Sequence, residues 1–199
     1  MTAQLSWYVA RSAGIVGWAV LAAGVLWGLA LSTRVLGPKP RAAWMTDLHR
    51  FLGGLATVFT AVHVGALLFD RYVGFGVGDV LVPLHSSYRP VAVAWGVVAL
   101  YLLVAVEVTS LLRTRLPRTM WRWVHTSSFG LFVLSTVHGL SAGSDTGRPL
   151  TVVMVIVSVA TFALTVARID QSRARRRPPR TSDRPVRTGA VRSAPLPRS

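Results

Sequence analysis

Five stretches of this 199-residue chain are almost free of charge and long enough to cross a bilayer, and that property constrains the fold more than any other. They are residues 12–33, 51–69, 90–106 (running on past Glu107 to 112), 123–144 and 149–167. An apolar run of ~20 residues spans the ~30 Å hydrocarbon core as a helix, which satisfies its own backbone where no water can. Composition agrees: 52 % of the residues are hydrophobic and 15 % charged, too few charges for the surface of a soluble domain. The expected fold is an all-α integral membrane protein, a five-helix transmembrane bundle. The first run is too long for a signal-peptide core and has neither a basic leader nor a clear small-residue cleavage site. It is therefore read as a retained helix that starts near Trp7 or Tyr8.

Basic residues orient the bundle, because Lys and Arg resist translocation. Arg34, Lys39, Arg41 and Arg50 surround the first connection, Arg113, Arg115, Arg118 and Arg122 the third, and ten arginines follow from Arg168 onward. The opposite side has only Arg11, Arg71, Arg89 and Arg148. An odd number of spans then puts the N-terminus outside and the C-terminus in the cytoplasm. The chain divides into a membrane domain, 1–168, and a tail, 169–199. Most of the net charge of +15 lies in the inside loops and in this tail. The tail is rich in Arg, Pro and Ser and has too few aliphatic residues to bury a core, so it is expected to be disordered. It anchors topology and touches anionic lipid, or docks a cytoplasmic partner. No nucleic acid is expected as a partner.

The chain has no cysteine, which excludes iron–sulfur clusters, thiolate ligation and c-type haem attachment. With seven acidic residues, mostly in loops, a di-iron carboxylate site is improbable. Histidine is the remaining ligand. No Walker loop or dinucleotide fingerprint is present, so no FAD or NADPH site is expected.

Four of the five histidines lie in or at the edges of predicted spans. His49 and His63 bound the second run, in HRFLGGLATVFTAVH, and His125 and His138 bound the fourth, in HTSSFGLFVLSTVH. An imidazole in hydrocarbon is costly unless partnered. Fourteen residues at ~100° each return His63 to within about 40° of His49, ~21 Å along the axis. The second and fourth helices run the same way, so His49 and His125 share the cytoplasmic level and His63 and His138 the outer one. Each level then offers one imidazole from each of two helices, the arrangement that holds a planar macrocycle by two axial nitrogens. Gly53, Gly54, Gly130 and Gly139 leave room beside these ligands. Arg50, Arg41 and Arg122 inside, and Arg71, Arg89 and Arg148 outside, are candidate partners for haem propionates, or simply topology charges. The second pair fits less simply: its thirteen-residue spacing turns the rings ~140° apart on an ideal helix. The fourth helix must therefore be distorted, with Thr126, Ser127 and Ser128 the candidate place.

The two histidine pairs, together with stretches such as DLHRFLGGLATVFTAVHVGALLFD and RPVAVAWGVVALYLLVAVEVTSLLR, resemble the ferric reductase-like transmembrane domain shared by ferric reductases and NADPH oxidases. The resemblance covers about residues 8–168 and is strongest to short bacterial members made of the membrane domain alone. It implies two haem b groups, the inner iron on His49 and His125 and the outer on His63 and His138. Electrons would pass from a cytoplasmic or membrane donor, a separate flavoprotein or a quinol, to an extracytoplasmic acceptor. It also implies a multi-pass protein of the bacterial plasma membrane. The larger oxidases carry a further helix and a dehydrogenase domain, so this chain is not expected to oxidise NADPH alone.

Phe59 and Phe132 fall at intermediate depth, between the macrocycles or against lipid. Glu107 relays a proton or orients a histidine, or pairs with an arginine in the next loop. His85 reads as an ordinary loop residue. Two rival functions remain: a haem-binding subunit that feeds a separate periplasmic reductase of the sulfoxide-repair type, and a haem-free scaffold or proton-handling carrier.

Overall fold

The computed structural model describes residues 2–33, 43–70, 74–143 and 148–174. Within them the chain forms helices and no strand: α1 (Thr2–Thr33), α2 (Ala43–Phe69), α3 (Val77–Leu81), α4 (Pro90–Leu111), α5 (Arg118–Thr126), α6 (Ser128–Ala142) and α7 (Arg148–Ala174). Four of these, α1, α2, α4 and α7, are long and apolar enough to cross a membrane. The fourth sequence run is divided between α5 and α6, with Ser127 at the junction.

The junction has a local cause. The Ser127 N–H is shared between the carbonyls of Trp123 (3.3 Å) and Val124 (3.1 Å), a tightened turn. The Thr126 hydroxyl donates to the Arg122 carbonyl at 2.7 Å, and that of Ser127 to Val124 at 2.6 Å. Consecutive hydroxyls thus draw carbonyls away from the helical ladder. The interruption falls at the cluster singled out from the sequence. Overwinding recovers only ~20° per residue, so axis direction and side-chain reach supply the rest of the turn that brings both rings inward.

Helix α1 begins at Thr2, earlier than the sequence reading, because its first turns pack on the end of α2: Ser6 donates to Asp70 at 3.1 Å. Helix α7 continues past residue 168 to Ala174. The tail from 175 lies outside the described residues, as do Arg34, Lys39, Arg41 and Arg71.

Packing is organised as two helix pairs. α1 packs most extensively on α2, and α4 on α6, while α1 also touches α6 and α7. The main core lies where Trp18, Ala22, Val25 and Leu29 of α1 meet Phe132 of α6 and Met154 of α7. Trp18 stacks on Phe132 (centroids 6.3 Å) and its indole N–H donates to Thr136 at 2.9 Å. That bond gives both polar groups a partner where water cannot reach. Helix α7 keeps Val152, Ile156, Val159 and Phe162 exposed, as a lipid-facing helix should.

Candidate functional site

At the level that the expected topology puts outside, called outer below, His63 of α2 and His138 of α6 stand with ring centroids 6.3 Å apart and planes at 76°. His63 Nδ1 lies 2.6 Å from the Ala10 carbonyl of α1, and His138 Nδ1 lies 2.8 Å from the Ala92 carbonyl of α4. A carbonyl can only accept, so each neutral ring donates from Nδ1 and carries its lone pair on Nε2. Four residues beyond each carbonyl is a glycine that makes room for the ring. A Cβ on Gly14 would stand 2.9 Å from His63 Nδ1, and one on Gly96 would stand 2.7 Å from His138 Nδ1 and Cε1. One device is used twice: a carbonyl orients the ring, and a missing side chain one turn on admits it.

At the inner level, His49 of α2 and His125 of α5 lie 5.8 Å apart with planes at 78°. Gly28 admits the His49 ring, since a Cβ there would sit 3.1 Å from Cε1. Four residues earlier, the Gly24 backbone interacts with the same ring, at a range that leaves Nδ1 without a hydrogen bond. Helix α1 therefore repeats Ala10-x3-Gly14 and Gly24-x3-Gly28 at the fourteen-residue spacing of His49 and His63. Ascending numbers on α1 meet descending numbers on α2, so the helices are antiparallel and the two repeats face each other. His125 has no such notch. Thirteen residues along α4 from Gly96, where the register would place one, stands Thr109, its hydroxyl bound to the Ala105 carbonyl at 2.7 Å. Instead Trp121, one turn earlier on α5, stacks on His125 at 5.0 Å and 19°.

The outer rings line a cavity of about 300 Å³ enclosed by α1, α2, α4 and α6. Trp18, Thr60 and Ser135 also line it, with Arg11 and Asp79 toward the outer end. Among the described residues, no three potential metal-ligating side chains stand together. Two imidazoles alone leave a bare ion under-coordinated, whereas an iron already held by a macrocycle would need only two nitrogens from the protein. Two rings on opposite sides of one iron, with metal–nitrogen bonds of about 2 Å, place their centroids about 6.3 Å apart. The outer centroids stand 6.3 Å apart and the inner ones 5.8 Å.

The glycines singled out from the sequence do other work. A Cβ on Gly53 would meet the Glu107 carboxylate, on Gly130 Leu102 and on Gly139 Met154, while Gly54 faces open space. Glycines on the histidine-bearing helices cannot make room for their own helix's rings, which project onto the neighbouring helix. The room comes from Gly14, Gly28 and Gly96, and the sequence signal was the repeat on α1. Of the arginines, Arg50 and Arg122 are exposed, and Arg89 donates to the Ser141 carbonyl at 2.7 Å, near His138. Arg168 of α7, not singled out earlier, acts electrostatically on His125.

Glu107 is half-buried against Gly53 and pairs with no arginine among the described residues. Phe132 is buried in the core beside Trp18, whereas Phe59 packs over Gly17 and lines a shallow outer depression. His85 has a partner after all: its Nδ1 donates to Asp79 at 2.9 Å, and Asp79 also accepts from the Gly76 N–H at 2.8 Å. Those two contacts, the backbone one first, hold the half-buried Asp79 carboxyl below the ordinary carboxylate range.

No protein-family model, curated protein or solved structure matches this chain.

Proposed function

We propose that this chain is a di-haem b-type transmembrane electron-transfer protein of the ferric reductase-like kind. The observation that supports it best is the pairing of four imidazoles at two levels, His49 and His63 of α2 with His125 of α5 and His138 of α6, at centroid separations of 5.8 and 6.3 Å. The membrane domain has five spans, with α5 and α6 together forming the fourth, an outside N-terminus and a basic cytoplasmic tail, in the cell membrane.

His63 and His138 hold the outer group and His49 and His125 the inner one. When bound, the haems supply reversible one-electron iron chemistry whose potential is tuned by axial ligation and burial. The chain's own work is to fix the rings. The Ala10 and Ala92 carbonyls hold His63 and His138 in the tautomer with Nε2 free, and the glycine notches set ring depth. Trp18 and Phe132 fill the core between the two levels and exclude water from the path. The donor is a separate flavoprotein or a quinol and the acceptor is extracytoplasmic.

Reduced-minus-oxidised spectroscopy with haem quantitation tests this reading. Purified protein should carry two bis-histidine haems per chain, falling to about one in His63→Ala or His138→Ala. Absence of a Soret band after expression with adequate haem refutes it.

A further inference from the structure

Three buried side-chain polar atoms have no hydrogen-bond partner among the described residues: Nδ1 of His49, Nε1 of Trp121 and Nδ1 of His125. All three belong to the inner level. At the outer level both Nδ1 atoms have carbonyls, and the hydroxyls within the spans bond back to their own helices. A buried polar group without a partner costs far more in lipid than in water, so three in one place call for an explanation.

The chemistry of the cluster is one-sided. An indole N–H donates and cannot accept. The Arg113 guanidinium lies 5.9 Å over the Trp121 ring, and Arg168 acts on His125 from α7. The carboxylates at this end of the described chain are turned elsewhere: Asp47 is exposed on α2, Asp170 is exposed on α7, and Glu107 sits against Gly53. The Trp121 N–H is the one group of the three that can only donate, and it is left without an acceptor among the described residues.

We propose that the cytoplasmic end of the bundle is an anion-binding site in which the Trp121 Nε1–H donates to a carboxylate or phosphate oxygen and Arg113 supplies the charge. Two sources carry this chemistry. One is the propionate of a haem at the inner level, which rests on the proposed function. The other is the phosphate of an anionic lipid of the cytoplasmic leaflet, which does not.

Trp121→Phe keeps the stack on His125 and removes only the N–H, and Arg113→Gln removes the charge. Both are made in the full chain, checked for fold by circular dichroism and gel filtration, and measured in two ways. Retention of phosphatidylglycerol against phosphatidylcholine from mixed nanodiscs is read by native mass spectrometry; inner-haem content and midpoint potential are read by redox titration. A lipid source lowers phosphatidylglycerol retention about tenfold in both variants, the size of one charge-assisted hydrogen bond, with haem unchanged. A propionate source weakens inner-haem retention by a similar factor or moves its potential, with the outer haem and lipid unchanged. If folded variants match wild type in both measurements, the site is overturned. Should wild type contain no haem, the proposed function fails while the lipid arm still decides this site.

Discussion

Gly96→Ala tests the positioning device most directly. The added Cβ would stand 2.7 Å from Nδ1 and Cε1 of His138, whereas ordinary contact begins at 3.4 Å. The ring must retreat by about 0.7 Å or α4 must part from α6, and either response strains a packed seam by about 1–3 kcal/mol. A retreat of that size also carries Nδ1, now 2.8 Å from the Ala92 carbonyl, out of hydrogen-bond range, adding about 1 kcal/mol. The total of about 2–4 kcal/mol is about 30-fold to 1,000-fold in outer-level haem affinity. The assay is haem per chain after dialysis against a haem-scavenging apoprotein. Gly54→Ala is the control, because nothing lies within 4 Å of a Cβ there and alanine favours a helix by up to ~1 kcal/mol. If Gly96→Ala retains two haems per chain with an unchanged outer potential, the notch does not position His138 and the reasoning fails.

Other expectations follow from the same contacts. Trp18→Phe keeps the stack on Phe132 but leaves the Thr136 hydroxyl without its indole partner, costing about 1–2 kcal/mol of unfolding free energy in micelles; an unchanged unfolding midpoint would contradict this. Because the folded Asp79 carboxyl titrates below its unfolded value, its contribution is in place above the ordinary carboxylate range and is lost as pH falls through the lower, folded pKa. Hydrogen exchange of the α3 amides should therefore be steady near neutrality and rise only in strong acid, and Asp79→Asn should raise it at neutral pH. The cysteine-free chain suits topology mapping. A membrane-impermeant maleimide should label Ser87→Cys in intact cells and Thr114→Cys only after permeabilisation, and the reverse pattern would invert the orientation.

The membrane class and the histidine pairing were legible in the sequence because hydrophobic length and helical period are local properties, countable along one strand of text. So was the weak point of the fourth helix, since a thirteen-residue spacing conflicts with the helical period and hydroxyls mark where a helix can yield. What makes room for the rings was not legible in the same way. Gly53 and Gly130 lie next to the ligands in sequence but not in space, and Gly14, Gly28 and Gly96 receive the rings only once helix pairing is known. The contact between the loop residue His85 and Asp79 was not readable either, because side chains six residues apart meet only once the turn after α3 has formed.

The matched repeats on α1 and α2 make these two helices a pair of graduated rules laid side by side in opposite senses. Lengthening either helix at its ends shifts no graduation against another. A single residue inserted between Gly14 and Gly28, or between His49 and His63, turns everything beyond it by ~100° and slides it ~1.5 Å, removing one ring from its notch while the other stays seated. Insertions and deletions should therefore be tolerated in the connection between α1 and α2 and rejected within those two fourteen-residue intervals. Chain length there is fixed as firmly as residue identity.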